Sequence, residues 1–102
     1  MRLIALFNLK PGVAVADYEA WARGTDLPTV NALPSVRSFR VFKATGLLGS
    51  EAPAPYDYAE IIDVADMEQF WKDVATPKMQ AVAAEFAGMA DVTFITTEEI
   101  KA

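Results

Sequence analysis

A chain of 102 residues with 53% hydrophobic and 11% aromatic side chains can build one cored domain, expected over 1–102, and is short enough to gain from pairing. The formal net charge of −5, with no Lys/Arg-rich arm or helix, argues against a nucleic-acid partner. The composition holds no cysteine and no histidine, which removes disulfides, thiolate and imidazole metal sites, a haem held by histidine and a Ser-His-Asp triad.

The opening MRLIALFNL has one positive charge, a short apolar run and no small-residue cleavage pattern. It reads as a first strand, Arg2–Leu9, closed by Pro11-Gly12. No run approaches the ~18 apolar residues of a membrane span, so no membrane partner and a cytoplasmic location are expected. Val15–Arg23 reads as a helix with Tyr18, Trp21 and Ala22 on one face and Gly24 at its C-terminal end. Asp26 then stands as the cap of a separate short turn, with Leu27, Val30 and Leu33 repeating every three residues. Val36–Thr45 alternates as a second strand. Gly46–Pro55 is a loop, longer than a hairpin needs. Tyr56–Val64 is the third strand. Asp66 caps a helix whose Met67, Phe70, Trp71 and Val74 form an apolar stripe. Thr76-Pro77 restarts it, and Met79, Val82, Ala83 and Phe86 form a second stripe. Asp91–Glu98 is the last strand, followed by a short tail.

The order βαββαβ predicts an α+β, ferredoxin-like fold: a four-stranded antiparallel sheet with both helices on one face. Alternation divides each strand between two faces. Leu3, Ala5, Phe7, Phe39, Val41, Ala59, Ile61, Val92 and Phe94 are all apolar and are assigned to the helix layer. The other set, including Ile4, Leu6, Asn8, Ser38, Arg40, Phe42, Tyr58, Glu60, Ile62 and Ile95, mixes apolar with polar groups. A face of that kind calls for a partner. Two such sheets face to face would make a homodimeric α+β barrel around a small, mostly apolar lumen.

Candidate chemistry gathers on that mixed face. Glu60 is the candidate general acid or base, because a carboxyl in an apolar lumen has a raised pKa. The competing reading pairs it with Arg40 on the neighbouring strand, either as structure alone or to keep Glu60 ionised and oriented. Tyr58 offers a hydroxyl donor and Arg40 an anion or ring contact, completing a catalytic set of Glu60, Tyr58 and Arg40. Asn8, Phe42 and Tyr56 are expected to line the ligand site, with Leu47 in a loop over the lumen and Trp71 at a pocket edge. Lys10 and Asp26 read as solvated charges. No metal, haem, flavin or nicotinamide is expected: no glycine-rich nucleotide pattern and no acidic cluster of suitable spacing occurs.

The segments RLIALFNLKPGV, DYEAWARGTDLPTV, ATGLLGS, PYDYAEIIDV and AEFAGMADVTFITTEEI resemble the RedY-like protein HapK family over nearly the whole chain. ATGLLGS and PYDY are the more specific parts. The resemblance implies a branch of the dimeric α+β barrels related to antibiotic-biosynthesis monooxygenases, and association with prodiginine-like pyrrole or indole pigment pathways. The haem-binding relatives of that barrel lean on histidine, which this chain lacks. The expected function is therefore cofactor-free proton transfer on a small aromatic or pyrrolic intermediate during cyclisation, condensation or oxidation. The alternative is a non-catalytic carrier or accessory subunit for such an intermediate.

Overall fold

The structure, a computed structural model, describes residues 1–102. Strand β1 (Arg2–Phe7) buries Leu3, Ala5 and Phe7 at every second position. The Pro11-Gly12 turn follows, and Gly12 adopts φ 86°, a left-handed conformation in which a side chain would be strained.

Helix α1 (Val15–Trp21) does not stop at Gly24. It continues through a π-helical segment, Ala22–Asp26, into α2 (Leu27–Asn31). Asp26 has helical dihedrals (φ −65°, ψ −56°) and its side chain caps nothing, contrary to the expected separate turn. The burial pattern supplies a physical reason. Tyr18, Ala22, Asp26 and Val30 are all buried at a strict spacing of four. A regular α-helix turns every 3.6 residues and would rotate such a row off the sheet; the wider π-turn holds the row on one face.

Strand β2 (Val36–Lys43) has a bulge between Val36 and Ser38, after which Phe39 and Val41 face the helices. Strand β3 (Tyr58–Val64) follows the long loop. At the head of α3 (Met67–Val74), Asp66 accepts from the N–H groups of Glu68 and Gln69 at 3.0 and 3.2 Å. At the head of α4 (Pro77–Met89), Thr76 accepts from the Met79 N–H at 3.4 Å, and Pro77 takes the first helical position. Both capped starts agree with expectation. Strand β4 is only Ile95–Thr96, shorter than the predicted Asp91–Glu98, because β1 pairs with it through Leu3 and Ile4 alone. No helix is long and apolar enough to cross a membrane.

The sheet order is β2-β3-β1-β4, antiparallel throughout, which is the ferredoxin-like arrangement expected from the element order. The phase of β3 is the reverse of the prediction. Leu3 pairs with Ile62, Ala5 with Glu60 and Phe7 with Tyr58. Tyr58, Glu60, Ile62 and Val64 therefore lie beneath the helices, and all four are buried. Ala59 and Ile61 lie on the open face, beside Ile4, Leu6, Arg40 and Phe42. One residue of phase moves every side chain of a strand across the sheet.

Candidate functional site

The sheet presents two apolar clusters to the helices. One contains Leu3 and Ile62 with Phe39, Phe70 and Met79; the other contains Phe7 and Tyr58 with Tyr18 and Ala22. Between the paired rungs Leu3–Ile62 and Phe7–Tyr58 lies the rung Ala5–Glu60. Ala5 is too small to fill its place, and Glu60 stands there instead, 1% exposed, with no hydrogen bond to either carboxyl oxygen. Above the sheet opens a cavity of about 310 Å³ lined by 16 residues, 13 of them hydrophobic. Helices α3 and α4 supply its roof, including Phe70, Met79, Val82 and Phe86.

Asp26 reaches the same cavity from the π-helical segment. It is 4% exposed, and its Oδ2 also lacks a partner. Burial pushes the Asp26 carboxyl up to about 7. Burial, and then the nearby Asp26 charge, push Glu60 up to about 8. The Tyr18 hydroxyl is buried without a partner as well, and burial together with the Glu60 and Asp26 charges holds it protonated. Buried polar atoms are normally paired, so three unpaired carboxyl oxygens in the lining of one cavity, Asp26 Oδ2 and both of Glu60, single it out as the candidate site. The raised pKa expected of Glu60 is present. Its environment is the helix–sheet cavity of a single chain, not a lumen between two sheets.

The other expected residues separate. Tyr58 is 3% exposed, but its hydroxyl donates to Glu19 at 2.7 Å, and both residues line a separate, smaller pocket. Glu19 is also held by Lys43 at 3.0 Å and Arg23 at 3.3 Å; the Tyr58 hydrogen bond first, then Lys43 and Arg23, keep its carboxyl below the usual range. Arg40 pairs with Ile61 on the open face and sits over the Phe42 ring at 5.4 Å. The sheet separates it from Glu60, so the expected Arg40–Glu60 ion pair does not form. Phe42 is exposed on that same face. Asn8 holds the long loop: its amide donates to the Pro55 carbonyl at 3.2 Å and its oxygen accepts from the Asp57 N–H at 2.8 Å. Tyr56 and Leu47 are exposed and lie away from the cavity, Leu47 in a small turn closed with Ser50. Trp71 is 66% exposed and lines the cavity, consistent with a pocket edge. Sequence reasoning missed Asp26 as a member of the site. The spacing-of-four row through Tyr18, Ala22, Asp26 and Val30 is the signal that points to it.

Two carboxyls raised to about 7 and about 8 in one apolar space keep their protons into the neutral range. Such a pair can donate from one oxygen and accept at another, which is the requirement for acid–base chemistry at pH 7. The Thr96 hydroxyl and the Trp71 indole are the remaining polar groups of the lining. No three acidic side chains converge anywhere in the chain.

The fold is shared with solved structures. The chain is 30% identical to HapK from Hahella chejuensis, covering 100% of this chain and 95% of that one at a TM-score of 0.77. SnoaB, a cofactor-independent oxygenase from Streptomyces nogalater, matches at 15% identity over 97% of this chain and 93% of that one, with a TM-score of 0.70. A dimeric ferredoxin-like protein of unknown function from Thermobifida fusca matches at 24% identity over 94% and 89%, with a TM-score of 0.68. The last two likenesses concern the fold alone. No curated protein matches the chain. The family described as REDY-like protein HapK matches residues 1–100, and with the full-length likeness to HapK itself this establishes that the chain belongs to the REDY-like HapK family.

Proposed function

We propose that the chain is a small cytoplasmic enzyme of secondary-metabolite biosynthesis that binds a flat aromatic or pyrrolic intermediate in the helix–sheet cavity. Glu60 moves protons on that intermediate without a cofactor, during a cyclisation, condensation or oxidation. The carrying observation is the Glu60 carboxyl, buried with both oxygens unpaired against a 310 Å³ apolar cavity. That volume lies at the small end of ligand sites, which suits a compact ring system. For cyclisation or condensation an electron-rich ring needs only orientation and proton movement, and the cavity supplies both; in the oxidation, dioxygen is the co-substrate that takes the electrons. Membership in the HapK family and the fold shared with a cofactor-independent oxygenase support the same reading. Tyr58, tied to Glu19, lies outside the cavity lining and does not touch substrate.

The assembly that goes with this reading is a homodimer through the open sheet face. Leu6, Phe42 and Ile95 stand 47%, 44% and 54% exposed there, more apolar surface than one small sheet usually leaves in water. The Thermobifida fusca relative is described as dimeric.

The test is turnover of the pyrrolic or indolic intermediates made by enzymes encoded beside this chain. Glu60→Gln keeps the shape and removes the ionisable group. Turnover should fall by about 10²–10⁴-fold, well beyond any loss of ligand affinity. A folded variant with undiminished turnover refutes proton transfer by Glu60. A wild-type protein that binds the intermediate and never converts it supports the carrier role instead.

A further inference from the structure

The cavity holds two acidic side chains and no basic one: neither Lys nor Arg lines it. Asp26 Oδ2 and both Glu60 oxygens are buried and take no hydrogen bond from the chain. Any occupant must therefore bring its own donors, or leave those oxygens unpaired at a cost. An occupant carrying a carboxylate, phosphate or phenolate would set its charge in an apolar space with no basic side chain to neutralise it. The walls add a shape constraint. Phe39, Phe70, Phe86 and Phe94 present rings to the space, and ring faces favour flat partners.

We propose that Asp26 and Glu60 act together as a paired acceptor that selects a flat heteroaromatic bearing an N–H donor, neutral or cationic, and rejects anionic aromatics. This rests on the reading of the cavity as the substrate site, and it makes Asp26 a second group in contact with substrate. One of these unpaired carboxyl oxygens accepts the ring N–H. From the other elements around the pair, the lining contributes apolar groups, the Thr96 hydroxyl and the Trp71 indole, so no other charge competes for the ligand.

The experiment compares three probes against the full-length protein at pH 7 by calorimetry and amide NMR: indole, 1-methylindole and indole-3-acetate. Indole should shift amides around the cavity. 1-Methylindole has the same ring without the donor and should bind about tenfold or more weakly. Indole-3-acetate should show no saturable binding in the cavity. In Asp26→Asn, the preference for N–H should shrink and the acetate should gain affinity. Equal affinity for indole and 1-methylindole overturns the proposal, as does indole-3-acetate binding as tightly as indole, or no binding of indole at all. An Asp26→Asn protein with both preferences unchanged removes Asp26 from it. The readout is equilibrium affinity, so its failure is distinct from failure of the catalytic reading. Glu60-dependent turnover without N–H preference overturns the selectivity and leaves the catalysis. N–H preference with turnover indifferent to Glu60→Gln does the reverse.

Discussion

A buried neutral acid has a signature in stability against pH, and its sign is opposite to that of an ion-paired acid. Glu60 ionises at about 8 in the folded chain against 4.5 as a free side chain. Between those values the unfolded chain has lost the proton and the folded chain keeps it. The unfolded state then binds fewer protons, so stability falls as pH rises from about 4.5 to 8 and levels off above that. At about 1.4 kcal/mol per pH unit, the full fall is about 5 kcal/mol as a ceiling. Water entry and local relaxation lower it to a few kcal/mol. Asp26, raised from 3.8 to about 7, acts in the same direction, and its charge bears on Glu60, so the two penalties do not simply add. Glu60→Gln removes the charge and keeps the volume. The variant should match wild type near pH 5 and exceed it at pH 9, by more than about 10 °C in Tm if a few kcal/mol are recovered. Urea unfolding of both proteins at pH 5, 7 and 9 measures this. Wild-type stability that is flat or rising across that range refutes the reasoning. So does a Glu60→Gln protein that is weaker at every pH, the behaviour an Arg40–Glu60 pair would produce.

Two further perturbations probe the surroundings of the site. Tyr18→Phe deletes a hydroxyl that is 0% exposed and unpartnered, so the variant should gain about 1 kcal/mol, roughly 5 °C, in thermal melts; a loss of similar size would show that the hydroxyl is hydrogen-bonded in solution. Leu6→Glu puts a charge on the open sheet face and should turn a dimer into an 11.1 kDa monomer in sedimentation at micromolar concentration, leaving the cavity intact; a wild-type protein already monomeric there contradicts the proposed assembly.

The architecture was legible because punctuation and period agree. Asp66 and Thr76 announced the starts of α3 and α4, and Leu3, Ala5 and Phe7 fell on the buried side of β1 as alternation requires. In β2, Phe39 and Val41 contrast cleanly with Ser38 and Arg40, and the phase came out correctly. In β3 the contrast misleads. Ala59 and Ile61 look like the core set, while the true core set carries Tyr58 and Glu60. A rule that sends carboxylates to water inverts the strand where a carboxyl is kept inside, and such violations concentrate where a site is built. Glu60 stood out from its neighbours even so; its face and its partner did not. Asp26 was hidden for a related reason. An aspartate before Leu-Pro matches a helix cap, and only the tertiary burial of the row from Tyr18 to Val30 favours the π-turn that puts it in the cavity. Trp71 follows from the width of the α3 stripe: Phe70 fills the buried side and leaves Trp71 at the rim.

A crystal structure of the protein with indole bound tests most directly whether the functional site is the Asp26–Glu60 cavity. The account predicts the ring between the sheet and helices α3 and α4, its N–H within hydrogen-bonding distance of a Glu60 or Asp26 oxygen. A ring seated on the open sheet face beside Arg40 and Phe42, with the cavity unchanged, contradicts it.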